Sequence, residues 1–236
     1  MDNHRKLTSG FSKKIKSYEL SYLFAKQMNH GLQYKTKDWL LFEPSRFIYS
    51  FFALNMVYDI DWDKSFRECK VCPYHYRINT TKKIISSLDF IYSHNDVLDF
   101  KSCFYGFDNS LSLIANSTDI EPDENINRID TYEDFSESES YFNNYLSGIE
   151  SLKYDNFDQS SHYKLLIFTY QIRNNIFHGL KTIDMMSLEK QRSRLIDYTN
   201  IILVTLEQFF ELINKKYNYS RAKNDDISQN FHSFSS

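Results

Sequence analysis

Tyr170-Gln171-Ile172-Arg173-Asn174-Asn175-Ile176-Phe177-His178-Gly179 closes an apolar run that begins at Tyr163 and reads as a buried helix. Into that surface it inserts Arg173, Asn174, Asn175 and His178. Burying a neutral polar group without a partner costs roughly 2–7 kcal/mol, and a charge costs more. Packing alone gives no reason to accept that cost, so the stretch marks a candidate site as well as a helix. At about 100° per residue, Asn174 and His178 lie one turn apart on one face. Arg173 sits about 100° away, but its long side chain reaches the same edge. Gly179 stands where a helix C-cap glycine is expected. His178 then falls in the last turn, where the helix dipole favours its protonated form and a nearby Arg173 opposes it. An imidazole balanced in this way suits general acid–base work near neutrality. Arg173 keeps its proton at all relevant pH and suits anion binding, for example at a phosphate.

Arg173-Asn174, three further residues and His178, ending a late helix and followed by Gly179, resemble the signature of the HEPN superfamily (higher eukaryotes and prokaryotes nucleotide-binding domain). That signature is an Arg, a gap of four to six residues and a His, with a polar residue directly after the Arg; Asn174 fits. The flanks Tyr170-Gln171-Ile172 and Ile176-Phe177 are similar to the family's as well. Arg46 to Tyr58 is similar to the first core helix of many such domains, and the resemblance extends from Pro44 to Tyr217. It implies an all-α bundle of four to five helices. It also implies a metal-independent endoribonuclease with Arg173 and His178 catalytic and Asn174 and Asn175 in support. The implied products are a 2′,3′-cyclic phosphate and a 5′-hydroxyl. The implied setting is a toxin–antitoxin or antiviral defence system, with RNA (tRNA among the candidates) as substrate and an antitoxin or regulator as partner. HEPN ribonucleases place two motif helices face to face in a homodimer, and some HEPN domains are silent modules that bind nucleotides or proteins instead.

Composition bounds these readings. The chain has 236 residues, 20 Phe and 18 Tyr, but only 5 Gly and 3 Pro, which favours long helices. The net charge is −3, so any nucleic-acid site is local rather than global. No apolar run reaches the length of a membrane span. The N-terminal Met1-Asp2-Asn3-His4-Arg5-Lys6 lacks a signal-peptide core. Three cysteines argue against a secreted disulfide framework, and the expectation is a cytoplasmic protein.

Residues 1–43 read as a basic N-terminal arm with a helix over Ser12–Asn29; its lysines are either phosphate contacts or a solvated face. Residues 44–59 predict a helix opened by Pro44, with Phe47, Ile48, Phe51, Phe52, Leu54, Met56 and Val57 spread round enough of its circumference to bury more than one side. Arg46 and Asn55 are its polar exceptions. Residues 60–79 read as irregular. Cys69 and Cys72 with His75 form half a metal motif, for which the distant Cys103 is the remaining cysteine; reduced cysteines in a packed loop are the simpler reading, and no metal is expected. Residues 80–117 read as helical with Thr80 or Thr81 as N-cap, and His94 as a surface or capping residue. Residues 118–140 are an acidic loop insertion. Short and motif helices follow over Tyr141–Leu152 and Ser161–His178, the latter capped by Ser160 or Ser161. A last helix runs to Tyr217 on the stripe Leu188, Leu195, Tyr198, Ile202, Leu206, Phe209 and Ile213. Lys190, Arg192 and Arg194 near its start either attract RNA phosphates or form a solvated basic face. Residues 218–236 read as a disordered tail.

The site reading requires no cofactor. Cleavage by the 2′-hydroxyl needs a base, an acid and a cation for the phosphorane charge. His178 supplies one acid–base group and Arg173 the cation, while Asn174 orients His178 or bonds a phosphate oxygen. The bland alternative is a core in which Arg173 meets carboxylates and His178 merely ends a helix.

Overall fold

The computed structural model describes residues 7–27, 42–74, 79–94, 143–152, 156–177, 189–217, 219–223 and 226. These residues are all-α. The helices are α1 (Ser9–Gln27), α2 (Phe42–Tyr58), α3 (Trp62–Glu68), α4 (Thr80–Tyr92), α5 (143–152), α6 (Gln159–Phe177) and α7 (Glu189–Tyr217). Among the described residues the only extended pairing is an isolated antiparallel bridge between Ile60 and Pro73. No described helix is long and apolar enough to cross a membrane.

The chain divides into two compact units. The first contains α1 to α4 and α7 from Thr205 onward; the second contains α5, α6 and α7 up to Val204.

In the first unit α1 packs on α2, and α2 and α3 on α4. α1, read from sequence within a basic arm, buries Phe11, Ile15, Tyr22 and Ala25 almost completely. The centre is aromatic. Trp62 lies 4.6 Å from Phe209 between ring centroids, Phe66 stacks on Tyr217 at 3.6 Å, and Phe11 and Phe90 close the cluster. The Trp62 indole N–H donates to the Val57 carbonyl at 2.7 Å, so the buried ring carries no orphaned donor.

α3 corrects the expectation of an irregular 60–79 stretch. Asp61 caps it by accepting from the Lys64 N–H at 3.0 Å, and Cys69 ends it in the left-handed region at φ 53°. Its burial comes from Trp62 and Phe66, which anchor a helix too short to stand alone. α4 begins as expected within a residue, but Asn79 rather than Thr80 or Thr81 is the cap, accepting from Lys82 N–H at 3.0 Å. His94 closes its end, with Nδ1 2.8 Å from the Phe90 carbonyl; the continuation to residue 117 lies outside the described residues.

α2 also departs from expectation. Phe47, Phe51, Leu54 and Val57 are buried, but Phe52 and Met56 are 41% and 38% exposed, with Tyr49 beside them at 43%. These three share a strip at helical spacing, so the helix buries one broad face rather than most of its circumference. Arg46 is almost fully buried against Glu43 of the same helix, Nη1 to Oε2 3.8 Å. Asn55 accepts from the Tyr58 hydroxyl.

In the second unit Tyr145 of α5, Phe168 of α6 and Tyr198 of α7 form an aromatic triad with centroids 4.5, 5.4 and 5.7 Å apart. α5 approaches α6 closely at Gly148, where a Cβ would meet Leu165 Cδ2 at 2.8 Å and the Ser161 carbonyl oxygen at 3.0 Å. Along α7 the stripe from Leu195 to Ile213 is buried throughout, as its periodicity predicts. The acidic 118–140 stretch lies outside the described residues.

Candidate functional site

The site rests on α6. Asp158 starts this helix, its Oδ1 accepting from the Ser161 N–H at 2.7 Å and the Ser161 hydroxyl at 2.8 Å. Those bonds hold the Asp158 carboxyl below its ordinary range. The cap is thus Asp158 rather than the expected Ser160 or Ser161, through the same side-chain-to-backbone bond. Leu165, Leu166, Ile167, Phe168, Thr169 and Ile172 are then buried. Thr169 turns its hydroxyl back to the Leu166 carbonyl at 2.7 Å, which satisfies it inside the apolar run.

At the C-terminal end the character changes, as the sequence anticipates. Arg173 is half-buried, and its Nη1 donates to Asn174 Oδ1 at 3.0 Å. Its guanidinium carbon lies 4.2 Å from the centroid of the Phe177 ring, one turn on. Phe177 is 47% exposed. The cation is therefore held between an amide and an aromatic face in the last turn, where the helix dipole is negative and favours it. Asn174 orients Arg173 here, so its carbonyl oxygen is committed to the guanidinium.

His178 and Gly179 lie outside the described residues. Asn175 lies in the α6 backbone, and Lys190, Arg192 and Arg194 in the first turns of α7; the side chains of these four lie outside the described set. The structure thus brings together Arg173, Asn174 and Phe177, of which Phe177 was read from sequence only as a flank.

Two further features belong to the same unit. His162 is fully buried near Phe157, and desolvation pushes its pKa down to about 3. Burial therefore favours its neutral form at physiological pH. A polar cleft of about 260 Å³ opens at the start of α6, lined by Glu150, Asn156, Asp158, Lys164 and several serines. Lys164 crosses it to Ser147 Oγ at 3.1 Å. Fifteen helical residues separate Asp158 from Arg173, about 22 Å at 1.5 Å per residue, so this cleft is not part of the Arg173 site.

In the first unit, Cys69 and Cys72 are free thiols. Cys72 is buried, donates to Glu68 Oε2 at 3.5 Å, and burial pushes its thiol pKa up. That environment is the reverse of an activated thiolate. His75 and Cys103 lie outside the described residues, and among the described residues no group of three His, Cys, Asp or Glu is placed to hold a metal.

No protein-family model, no curated protein and no solved structure matches the chain.

Proposed function

We propose that the chain is a HEPN-type endoribonuclease that cleaves RNA without a metal, with Arg173 and His178 as its catalytic pair. The observation that carries the reading is the Arg173 guanidinium, fixed by Asn174 and Phe177 at the end of an otherwise buried helix. A fixed cation at an exposed aromatic edge suits a phosphate in the transition state, because it need not reorganise as charge develops. His178, the next residue after that edge, takes the proton of the 2′-hydroxyl or supplies one to the departing 5′-oxygen. The oxygen freed from its proton attacks the adjacent phosphorus, and the bond to the 5′-oxygen breaks. The products are a 2′,3′-cyclic phosphate and a 5′-hydroxyl. One chain supplies one acid–base residue, so the proposal includes a homodimer in which a second motif helix provides the other. The all-α architecture is compatible with a HEPN-like bundle. Lys190, Arg192 and Arg194 collect RNA phosphates in this reading, tRNA is a candidate substrate, and a toxin or antiviral effector restrained by an antitoxin is the proposed setting.

The test is cleavage of varied RNAs, total tRNA included, by purified protein in EDTA. The parent should cut, and Arg173→Ala and His178→Ala should each lose about a hundredfold or more while keeping helical content. A parent that leaves every RNA intact refutes the enzyme reading and favours a nucleotide- or protein-binding module.

A further inference from the structure

Beyond α7 the chain turns back, and Tyr219 to Lys223 lie against α1 and α7 within the first unit. Composition predicts a disordered tail here, yet Tyr219 is 3% exposed. Glu19 explains the docking. It sits fully buried on the same face of α1 as Ile15 and Tyr22. A buried carboxylate needs partners for its lone pairs. Its partners come from the returning segment: the Tyr219 hydroxyl donates at 2.8 Å, the Ala222 N–H at 2.6 Å, and Arg221 Nε to the other oxygen. Arg221 also reaches Glu207 at 3.1 Å and Glu211 at 2.5 Å, two carboxylates one turn apart on α7. Glu207 is shared with the Tyr22 hydroxyl and with Lys26 at 3.3 Å.

We propose that Glu19, Glu207 and Glu211 form a receptor groove for an arginine-bearing peptide, and that Tyr219–Lys223 fills it as an exchangeable strap. Three carboxylates face Arg221 and Lys26, so withdrawing Arg221 leaves an excess of two negative charges in the groove. The groove therefore demands a cation, and a guanidinium reaches several carboxylates at once where an ammonium is a single point. The backbone donor at Ala222 and the buried Tyr219 ring flank the Arg, so the recognised unit is an aromatic, a gap of one, an Arg and a following N–H. The strap is short, and of its residues only Tyr219 is buried, while Ser220 and Lys223 are exposed. Its own bonds to Glu19, Glu207 and Glu211 hold it, and in the intact chain tethering adds to them: a one-residue connection to α7 gives an effective concentration on the order of millimolar or above. Once that connection is cut only the bonds remain, and an arginine-bearing segment of similar form then competes with the strap on equal terms. This inference is independent of the ribonuclease reading.

The experiment places a protease site at Asn218 of the full chain and cuts it. Native mass spectrometry then asks whether the 219–236 fragment stays with the body. It should stay, and excess synthetic peptide spanning Tyr219–Asp226 should displace it. The same peptide with Arg221→Ala should need about tenfold more or beyond, the loss expected for a charged hydrogen-bonding group. A fragment that departs at once from a body of unchanged helicity, a body that unfolds on cutting, or equal displacement by both peptides would each overturn the proposal.

Discussion

Phe168 and Phe177 are the same side chain on the same helix, and they should respond to truncation very differently. Phe168 is fully buried, with Tyr145 at 4.5 Å and Tyr198 at 5.4 Å between ring centroids. Phe168→Ala should cost about 3–5 kcal/mol, toward the upper end because two aromatic pairs are lost with the cavity formed. Phe177 is 47% exposed, so burial contributes only about half of the roughly 1.5–3 kcal/mol of a fully covered ring. Its stack on Arg173 adds about 0.5–1 kcal/mol. Phe177→Ala should therefore cost about 1.3–2.5 kcal/mol, about 2 less than Phe168→Ala on central values. Urea unfolding at neutral pH, with a slope of about 2 kcal/mol per molar, would separate the two midpoints by about 1 M. If the proposed ribonuclease reading holds, activity should order the other way. Phe177→Ala leaves a folded protein whose Arg173 has lost its support, and RNA cleavage in EDTA should fall by about tenfold or more while the helix content holds. Equal losses of stability in the two variants would mean that Phe177 belongs to the core and that no exposed edge exists. Full activity in a stable Phe177→Ala protein would remove the stacked guanidinium from the mechanism.

Two other outcomes follow from the packing and the charges. Gly148→Ala should destabilise by about 1–3 kcal/mol despite the better helix propensity of alanine, because one of the atoms its Cβ meets is the Ser161 backbone oxygen, which cannot step aside as a side-chain tip can; a neutral or raised melting temperature would refute the close approach. The acid limb of the stability curve should carry both Glu207 and His162. Burial alone would raise the Glu207 pKa, but the Tyr22 hydroxyl, Arg221 and Lys26 outweigh it and hold the carboxyl below its ordinary range. Its contribution is present above the unfolded carboxylate pKa and is lost as pH falls through the folded one. For His162, desolvation depresses the folded value to about 3, so the unfolded chain binds the extra proton first and stability falls as pH drops below the ordinary imidazole range. Glu207→Gln should flatten the fall in the carboxylate range, and His162→Phe the fall between about pH 6.5 and 4; melting temperatures against pH read both, and unchanged slopes would contradict the bonds of Glu207 to Tyr22, Arg221 and Lys26 and the burial of His162.

What the sequence makes legible here is what depends on one segment at a time. The stripe from Leu195 to Ile213 predicts a buried helix because every member lies within one continuous periodic run, and each is buried. The polar end of α6 is legible for the same reason, since Arg173 and Asn174 are neighbours in the chain and in space. The errors arise where a distant element decides. Phe52 and Met56 look like core by composition, yet which side of α2 is covered depends on where α1 and α4 lie. α3 is hidden by three aspartates in a short stretch; Asp61 is its cap, and the helix is held by rings from α1, α4 and α7. The strap is the extreme case. Glu19 and Arg221 are separated by some two hundred positions, and nothing local to a Ser- and Asn-rich tail announces a partner on the first helix.

α7 runs without a break for 29 residues and contributes to the interior of both units. A helix of this kind has little tolerance for changes of length. Deleting or adding one residue between Phe210 and Tyr217 turns the end of the helix by about 100° relative to Phe209. Tyr217 could not then keep its stack on Phe66 while Phe209 keeps its contact with Trp62, since Trp62 and Phe66 are both fixed on α3. Substitutions can be absorbed one contact at a time, but an insertion displaces many contacts together. Over evolutionary time this chain should therefore gain and lose residues between its helices, with α7 held to a fixed count.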